Sequence, residues 1–190
     1  MFTEVSQARG LALRTAESFE AESQPLIPVR FDRRGPALAV ADISNDGRDD
    51  VILGGSGVQP AQIQLGGEFF TRAGALPASV LDDGPILVFD ADGDGHNDIL
   101  ETKAGTSRPA GSADYQPVLY LNSETGAFSP ATGALPVLPL SVGAAVAADF
   151  DHDGRLDAFL GARVLPGKYP TAPRSALLAN RGGRFEDVTD

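Results

Sequence analysis

The chain has 190 residues, of which 42% are hydrophobic and 22% are charged, a balance typical of a folded domain with a sizeable core. Its formal net charge of −11 argues against nucleic acid and anionic membrane surfaces as partners, because both require a basic face. Cysteine is absent, so no disulfide framework is expected.

Residues 1–36 are interpreted as one strand of a preceding repeat unit followed by a long connection. Residues 2–6 (Phe-Thr-Glu-Val-Ser) resemble residues 185–189 (Phe-Glu-Asp-Val-Thr) position by position, which indicates the same phase of a repeat. The spacing of Leu11, Thr15 and Phe19 also allows one short helix in the connection. No signal peptide is predicted, and no apolar run of about 18 residues predicts a transmembrane helix, so membrane insertion is not expected.

Three acidic stretches share the pattern Asp-x-Asp-x-Asp-Gly-x-x-Asp, with Ser replacing the second Asp in the first copy. They are residues 42–50, 90–98 and 149–157, and their first Asp residues lie 48 and then 59 residues apart. Such spacing is typical of repeated supersecondary units. Carboxylates placed this closely repel one another strongly unless a cation lies among them.

Calcium is the cation that the acidic pattern favours, because Ca²⁺ binds six to eight oxygen ligands in flexible geometry. Positions 1, 3, 5 and 9 offer side-chain oxygens, position 7 offers its backbone carbonyl, and the Gly at position 6 permits a sharp turn. Up to three Ca²⁺ ions are expected, one per loop. The candidate ligands are Asp42, Ser44, Asp46, Arg48 and Asp50; Asp90, Asp92, Asp94, His96 and Asp98; and Asp149, Asp151, Asp153, Arg155 and Asp157.

Two short apolar runs flank each acidic loop, and a hairpin follows. In the first unit these are residues 37–43 and 51–55, and then residues 62–65, whose alternation predicts a half-exposed strand that turns at Gly66-Gly67 into residues 68–71. The second unit repeats the order with residues 85–89, 99–100, 118–122 and Phe128, and the third with residues 144–150, 158–161, 176–180 and Phe185.

The sequence therefore predicts an all-β fold, a β-propeller segment of about three four-stranded antiparallel blades with calcium-binding Asp-rich loops. The blades occupy residues 37–190, at about 37–72, 85–129 and 143–189. Pro-rich links at 73–84 and 130–142 join them, and the 22 Gly and 14 Pro residues suit many short strands and turns.

Two other interpretations of the loops stay open from the residues alone. Residues 90–101 satisfy the twelve-residue pattern of a helical calcium hand, with Glu101 at position 12, but Leu53 and Leu160 stand there in the other copies. Acidic turns that bind no ion are the second alternative. In the first loop Ser44 removes a charge, and weaker binding is expected there.

The repeat unit, an apolar strand, the acidic loop, a second apolar strand and Leu-Asn-x-Gly-x-Phe, resembles the FG-GAP/VCBS repeats of integrin-α-like propellers. The Phe-x-Asp-Val-Thr endings and the run from Arg163 to Ser175 are similar to the secreted ASPIC/UnbV-type proteins that include cartilage acidic protein. The resemblance covers roughly residues 37–190. It implies a seven-bladed or similar propeller, extracellular or periplasmic, with calcium in the blade loops.

No catalytic constellation is recognised, so the chain is not expected to be an enzyme. The first functional hypothesis is an extracellular calcium-binding scaffold that presents a surface to a protein or glycan and forms part of a larger propeller. The alternative is part of a secreted propeller enzyme whose catalytic residues lie elsewhere; charged residues of the insertions at 104–114 and 162–173 converging in a cleft would favour it. Self-association, or further blades, is expected to complete the exposed blade faces.

Overall fold

A computed structural model describes residues 37–123 and 126–190 continuously, together with residues 3, 6–8, 11, 22, 24–26 and 28. The strand expected at residues 2–6 and the short helix expected around Leu11 lie outside the continuously described residues.

Three units follow one another along the described chain, and each contains four strands. The strands are β1 (Leu38–Ala41), β2 (Asp50–Leu53), β3 (Gln62–Leu65) and β4 (Thr71–Ala75); β5 (Asp83–Phe89), β6 (Asp98–Lys103), β7 (Val118–Asn122) and β8 (Phe128–Pro130); and β9 (Ser141–Ala148), β10 (Asp157–Val164), β11 (Ala176–Asn180) and β12 (Phe185–Asp187). One 3₁₀ turn, Ala113–Tyr115, interrupts the first insertion.

Within each unit the strands pair antiparallel in chain order. The first unit forms its own sheet, β1-β2-β3-β4. The second and third units repeat this order and are joined by one parallel bridge, between Lys103 and Ser141. Four-stranded antiparallel sheets in succession are the blades of a propeller, so the predicted fold class is confirmed as an all-β partial β-propeller.

Each acidic loop is the turn of a β-hairpin. Position 9 is the first residue of the second strand and pairs with the residue just before position 1, as in Ala41 with Asp50 and Phe89 with Asp98. The flanks of the second loop are thus strands, and Glu101 lies inside β6. The helical calcium hand is therefore excluded for this loop.

Two apolar clusters hold the units together, one on either side of the second unit. Ile52, Ile63 and Ile99 belong to the cluster between the first and second units. Leu100 and Leu160 belong to the cluster between the second and third units. Because neighbouring residues of a strand point to opposite faces, Ile99 packs towards the first unit and the adjacent Leu100 towards the third.

The first unit differs from expectation along its hairpin. Gln62 and Gln64 are 6% and 3% exposed, whereas their alternation with apolar residues predicted a solvent-facing row. The Gln64 amide donates to the Gln62 side-chain oxygen over 3.2 Å, which satisfies part of their polarity inside the protein. The following strand begins at Thr71, so Phe69 lies in the turn and is 60% exposed.

Candidate metal sites

The three loops have similar backbone conformations, each built around the first Asp, although one oxygen of this Asp accepts from position 5 in the first and third loops and from position 4 in the second. In every loop, two backbone N–H groups donate to the two oxygens of this carboxylate; Asp90 accepts from Gly93 at 2.7 Å and from Gly95 at 3.0 Å. Position 6 has positive φ in all three loops, with values of 83°, 89° and 87° at Gly47, Gly95 and Gly154. Glycine is required there, since a Cβ would oppose this conformation.

Position 4 also lies in the left-handed region, which the sequence pattern does not reveal. Asn45, Gly93 and His152 have φ values of 56°, 86° and 60°. Asn and His tolerate this region better than most residues with a Cβ. The left-handed residues at positions 4 and 6 curl each loop around position 5.

The Asp at position 9 is buried in every loop. Asp50, Asp98 and Asp157 are 0%, 0% and 1% exposed. One oxygen of each carboxylate accepts from the backbone N–H of position 2 in its own loop. The other oxygen accepts from a backbone N–H at the end of the third strand of the same unit, which belongs to Gly66, Asn122 or Asn180. This carboxylate therefore connects the loop to the hairpin beside it.

The second loop brings three carboxylates together. Asp90, Asp92 and Asp98 each offer an oxygen within 4.8 Å of the other two. Two ligands of one Ca²⁺, each about 2.4 Å from the ion, lie at most about 4.8 Å apart, so the group has suitable dimensions for such an ion. Burial raises the pKa of Asp98, hydrogen bonds from Asn122 and Ala91 oppose this change, and Asp92 and Asp94 reinforce it.

The third loop brings together Asp149, Asp151 and Asp153, again within 4.8 Å. Two arginines lie beside these carboxylates. Arg181 Nη1 is 3.1 Å from Asp151 Oδ2 and 3.6 Å from Asp153 Oδ2, and Arg155 Nη2 also contacts Asp153 Oδ2. Protein cations thus neutralise part of this cluster, whereas Asp157 lies outside the group.

The first loop does not bring its three carboxylates together in this way. Asp42 and Asp46 are oriented by backbone hydrogen bonds as in the other loops, and Ser44 is exposed at position 3. The first loop contacts the second loop through two side-chain amides. The Asn45 amide is hydrogen-bonded to His96 Nδ1, and the Asn97 amide donates to the Asp42 carbonyl over 2.8 Å. His96 is therefore a contact residue between loops.

At position 7, the structure places a backbone N–H on the carboxylate of position 5. Arg48, His96 and Arg155 donate to Asp46, Asp94 and Asp153 over 2.9, 2.8 and 2.9 Å. Asp94 lies outside the converging group of the second loop. The contact from the backbone N–H of position 7 to the carboxylate of position 5 is nevertheless present in all three loops.

Two asparagines next to the loops were not among the predicted site residues. The Asn122 side-chain amide donates to the Ile43 carbonyl at 2.9 Å and to the Asn97 carbonyl at 3.1 Å. Asn180 does the same one unit later, to the carbonyls of Ala91 at 2.8 Å and Leu156 at 3.0 Å. Each amide therefore joins the loop of its own unit to the loop of the preceding unit. The recurrence of Asn at the end of the third strand was the available signal.

A buried ionic triad lies at the other end of the second unit's strands. Lys103 Nζ is 2.6 Å from Asp83 and 2.7 Å from Glu101, and Asp83 also accepts from the Gly55 N–H of the first unit. Burial and the nearby Asp83 raise the pKa of Glu101 to about 7, although Lys103 opposes this change. Burial would lower the pKa of Lys103, yet the two carboxylates raise it.

In the insertion at 104–114, Arg108 pairs with Asp114 at the surface over 3.0 Å. Tyr115, which is fully buried, donates through its hydroxyl to the carbonyls of Gly105 and Arg108 at 3.2 and 3.1 Å. These contacts fold the insertion back on itself.

The comparisons with known proteins concern the second and third loops. Residues 90–160 match the family described as FG-GAP-like repeat. No match to the chain is found among the curated proteins. No helix in the described part of the chain is long and apolar enough to cross a membrane. The matched segment begins at position 1 of the second loop and ends in β10, so it covers one full period of the repeat and the third acidic loop. The partial propeller therefore contains, at residues 90–160, a segment similar to FG-GAP-like repeats.

Proposed function

We propose that this protein is a calcium-binding propeller scaffold that acts outside the cell, or in the periplasm, by presenting a surface to a protein or glycan. The observation that carries the proposal is the second loop, where Asp90, Asp92 and Asp98 converge. Three carboxylates in such proximity are costly without a cation, and a set of oxygen donors alone suits a hard ion such as Ca²⁺.

The extracellular setting and the binding role rest on the similarity to FG-GAP-like repeats. A closer relation to the ASPIC/UnbV-type secreted proteins is part of the same proposal and is supported by the run from Arg163 to Ser175. Within this proposal the loops hold the blades in a fixed geometry, and the chain performs no chemical reaction.

The second loop is proposed as the strongest of the three sites. It has four carboxylates, and among the described residues no arginine pairs with Asp90, Asp92 or Asp98. In the third loop, Arg181 and Arg155 contact two of the carboxylates and compete with a bound ion. The first loop has one carboxylate fewer and no converging group, so it is the weakest.

Isothermal titration of the metal-stripped chain with Ca²⁺ tests the proposal. Asp92 is exposed and does not make the buried backbone contacts that Asp98 makes at position 9. Asp92→Asn therefore removes a ligand with little effect on the fold. We expect Asp92→Asn to abolish the tightest binding step. The matched control is Asp114→Asn, which removes an exposed carboxylate outside the loops and leaves every step unchanged.

Absence of any calcium-dependent heat in the unmodified chain would refute the proposal. If the tightest step survives Asp92→Asn but disappears in Asp151→Asn, calcium binding stands and the ranking of the loops is wrong.

A further inference from the structure

A glutamine from the segment before the first unit is buried against the third unit. Gln24 is 2% exposed, whereas Glu22 and Leu26 on either side of it lie at the surface, Leu26 with 71% exposure. Glutamine is mostly a surface residue, because burying its carboxamide costs free energy unless new hydrogen bonds replace those to water. The burial of this one side chain therefore requires polar partners.

The polar partners belong to the turn directly after β10. The four residues 165–168 form a reverse turn, Leu-Pro-Gly-Lys, in which the Lys168 N–H donates to the Leu165 carbonyl at 3.0 Å and Gly167 has a φ of 73°. Pro followed by Gly with positive φ is the pair that a type II turn favours, so the local sequence specifies this turn. A carbonyl oxygen has two lone pairs, so Leu165 can accept a second hydrogen bond.

Gln24 contacts two backbone groups of this turn with one carboxamide. Its Nε2 donates to the Leu165 carbonyl at 3.4 Å, and its Oε1 accepts from the Tyr169 N–H at 3.2 Å. The donor and the acceptor of the carboxamide thus match an acceptor and a donor of the turn. A carboxylate in the same place would present acceptors only and could not donate to the Leu165 carbonyl.

The same kind of contact occurs within the second unit. Gln116 Nε2 donates to the Pro136 carbonyl at 2.9 Å, and Gln116 Oε1 accepts from the Leu138 N–H at 2.7 Å. This glutamine fastens the residue after the 3₁₀ turn to the link between the second and third units. Gln24 makes the equivalent pair of hydrogen bonds across 141 residues to Leu165 and 145 residues to Tyr169.

We propose that the turn at residues 165–169 is a binding site for a glutamine carboxamide, and that Gln24 of the same chain fills it. The chain from residue 24 leads into β1, so this contact links the start of the first unit to the third unit. The link lies at the ends of the strands that are opposite the acidic loops, because β1 leads into the first loop and β10 leads out of the third. The proposal is therefore independent of metal binding.

Hydrogen exchange of the Tyr169 amide, measured by NMR on the full chain, tests the site. Gln24→Met removes both hydrogen bonds and keeps a side chain of similar length. We expect the Tyr169 N–H to exchange at least about tenfold faster in Gln24→Met than in the unmodified chain, since it loses the acceptor that protects it. Gln24→Glu, which cannot donate to Leu165, is also expected to speed this exchange.

Gln116→Met is the matched control. It removes the equivalent pair of hydrogen bonds in the second unit, so we expect faster exchange at the Leu138 N–H and no change at Tyr169. Gln24→Met should give the reverse result, with no change at Leu138.

A spin label distinguishes contact within the chain from contact between chains. Because the chain has no cysteine, Leu26→Cys provides a single exposed attachment point close to Gln24. We expect a nitroxide there to broaden the amide signals of Gly167 and Tyr169, and Gln24→Met to remove this broadening. In a mixture of isotopically labelled chain without the nitroxide and unlabelled chain that carries it, no broadening is expected.

Equal exchange at Tyr169 in the unmodified and Gln24→Met chains would overturn the proposal. Full protection in Gln24→Glu would overturn the requirement for a carboxamide. Faster exchange at Tyr169 in Gln116→Met would show general loosening of the fold and would also count against a specific site. Broadening in the mixed sample would assign the site to Gln24 of a second copy and overturn the contact within the chain.

Discussion

The buried Asp at position 9 differs from the other acidic residues of its loop in what it contacts. Asp157 accepts from the backbone N–H groups of Phe150 at 3.0 Å and Asn180 at 2.7 Å, and it lies outside the converging group of the third loop. Its carboxylate is therefore primarily a connection between a loop and a neighbouring strand, whereas Asp149 and Asp151 face the common centre.

We predict that Asp157→Asn destabilises the chain by about 2 kcal/mol even in chelator, because an amide nitrogen would face a buried backbone donor. Urea unfolding in chelator measures this. Asp151→Asn, an exposed change in the same loop, is the control and leaves stability in chelator unchanged or slightly higher. A loss for Asp157→Asn that is seen only in calcium would contradict this assignment.

At the scale of elements, the buried triad connects β5 and β6 to the segment after β2. Asp83, Glu101 and Lys103 are 7%, 1% and 5% exposed, so two carboxylates and one ammonium group share a site from which water is largely excluded. Removing Lys103 would leave two buried carboxylates facing each other. Charges left unpaired in this way destabilise a protein strongly.

The triad predicts a pH dependence of stability. Glu101 has an ordinary pKa of 4.5 and a folded pKa of about 7, so between these values the folded chain binds a proton that the unfolded chain releases. Its contribution to stability is full below pH 4.5 and is lost as the pH rises to about 7. We therefore expect Glu101→Gln to gain stability relative to the unmodified chain between pH 5 and pH 7.

Urea midpoints at pH 5, 6 and 7 in chelator measure that difference. Glu186→Gln makes the same chemical change at an exposed position, so its difference from the unmodified chain is expected to be nearly constant over this range. A difference for Glu101→Gln that does not change with pH would show that the triad does not titrate here.

At the scale of the whole molecule, calcium binding and unfolding are linked. An ion that binds only the folded chain stabilises it by about 2.7 kcal/mol per site when its concentration is a hundred times Kd. For a chain of this size, one such site raises Tm by roughly 5 to 10 °C. Thermal unfolding in chelator and in millimolar calcium should differ by at least this amount; identical curves would contradict calcium binding.

Val146, Phe150 and Phe159 of the third unit are 53%, 44% and 41% exposed, and this apolar face predicts association of the isolated chain. Exposed apolar patches promote contacts between molecules when no partner covers them. We expect light scattering to show a molar mass that rises with concentration above 19.7 kDa. Phe159→Thr should reduce this rise, and Val137→Thr, outside the face, should not. A monodisperse monomer at every concentration would contradict the prediction.

The acidic loops and their flanking strands could be predicted because their causes are local. The spacing of Asp and Gly within nine residues determines which backbone N–H groups reach the first carboxylate, and the apolar runs on either side pair as the arms of one hairpin. Repetition of this unit then predicted successive blades, since a single four-stranded sheet leaves both faces uncovered. The same local reasoning placed Asp90, Asp92 and Asp98 at one site.

The tertiary structure decided what depends on contacts between distant residues. Asn122 lies 79 residues from Ile43, and Asn180 lies 89 residues from Ala91, so no local pattern assigns their amides to a preceding loop. Glu101 fits a calcium hand by spacing alone, yet strand pairing turns it towards Lys103. Which side chains a blade buries depends on its neighbours, and for this reason Phe150 is exposed where Ile43 and Ala91 are buried.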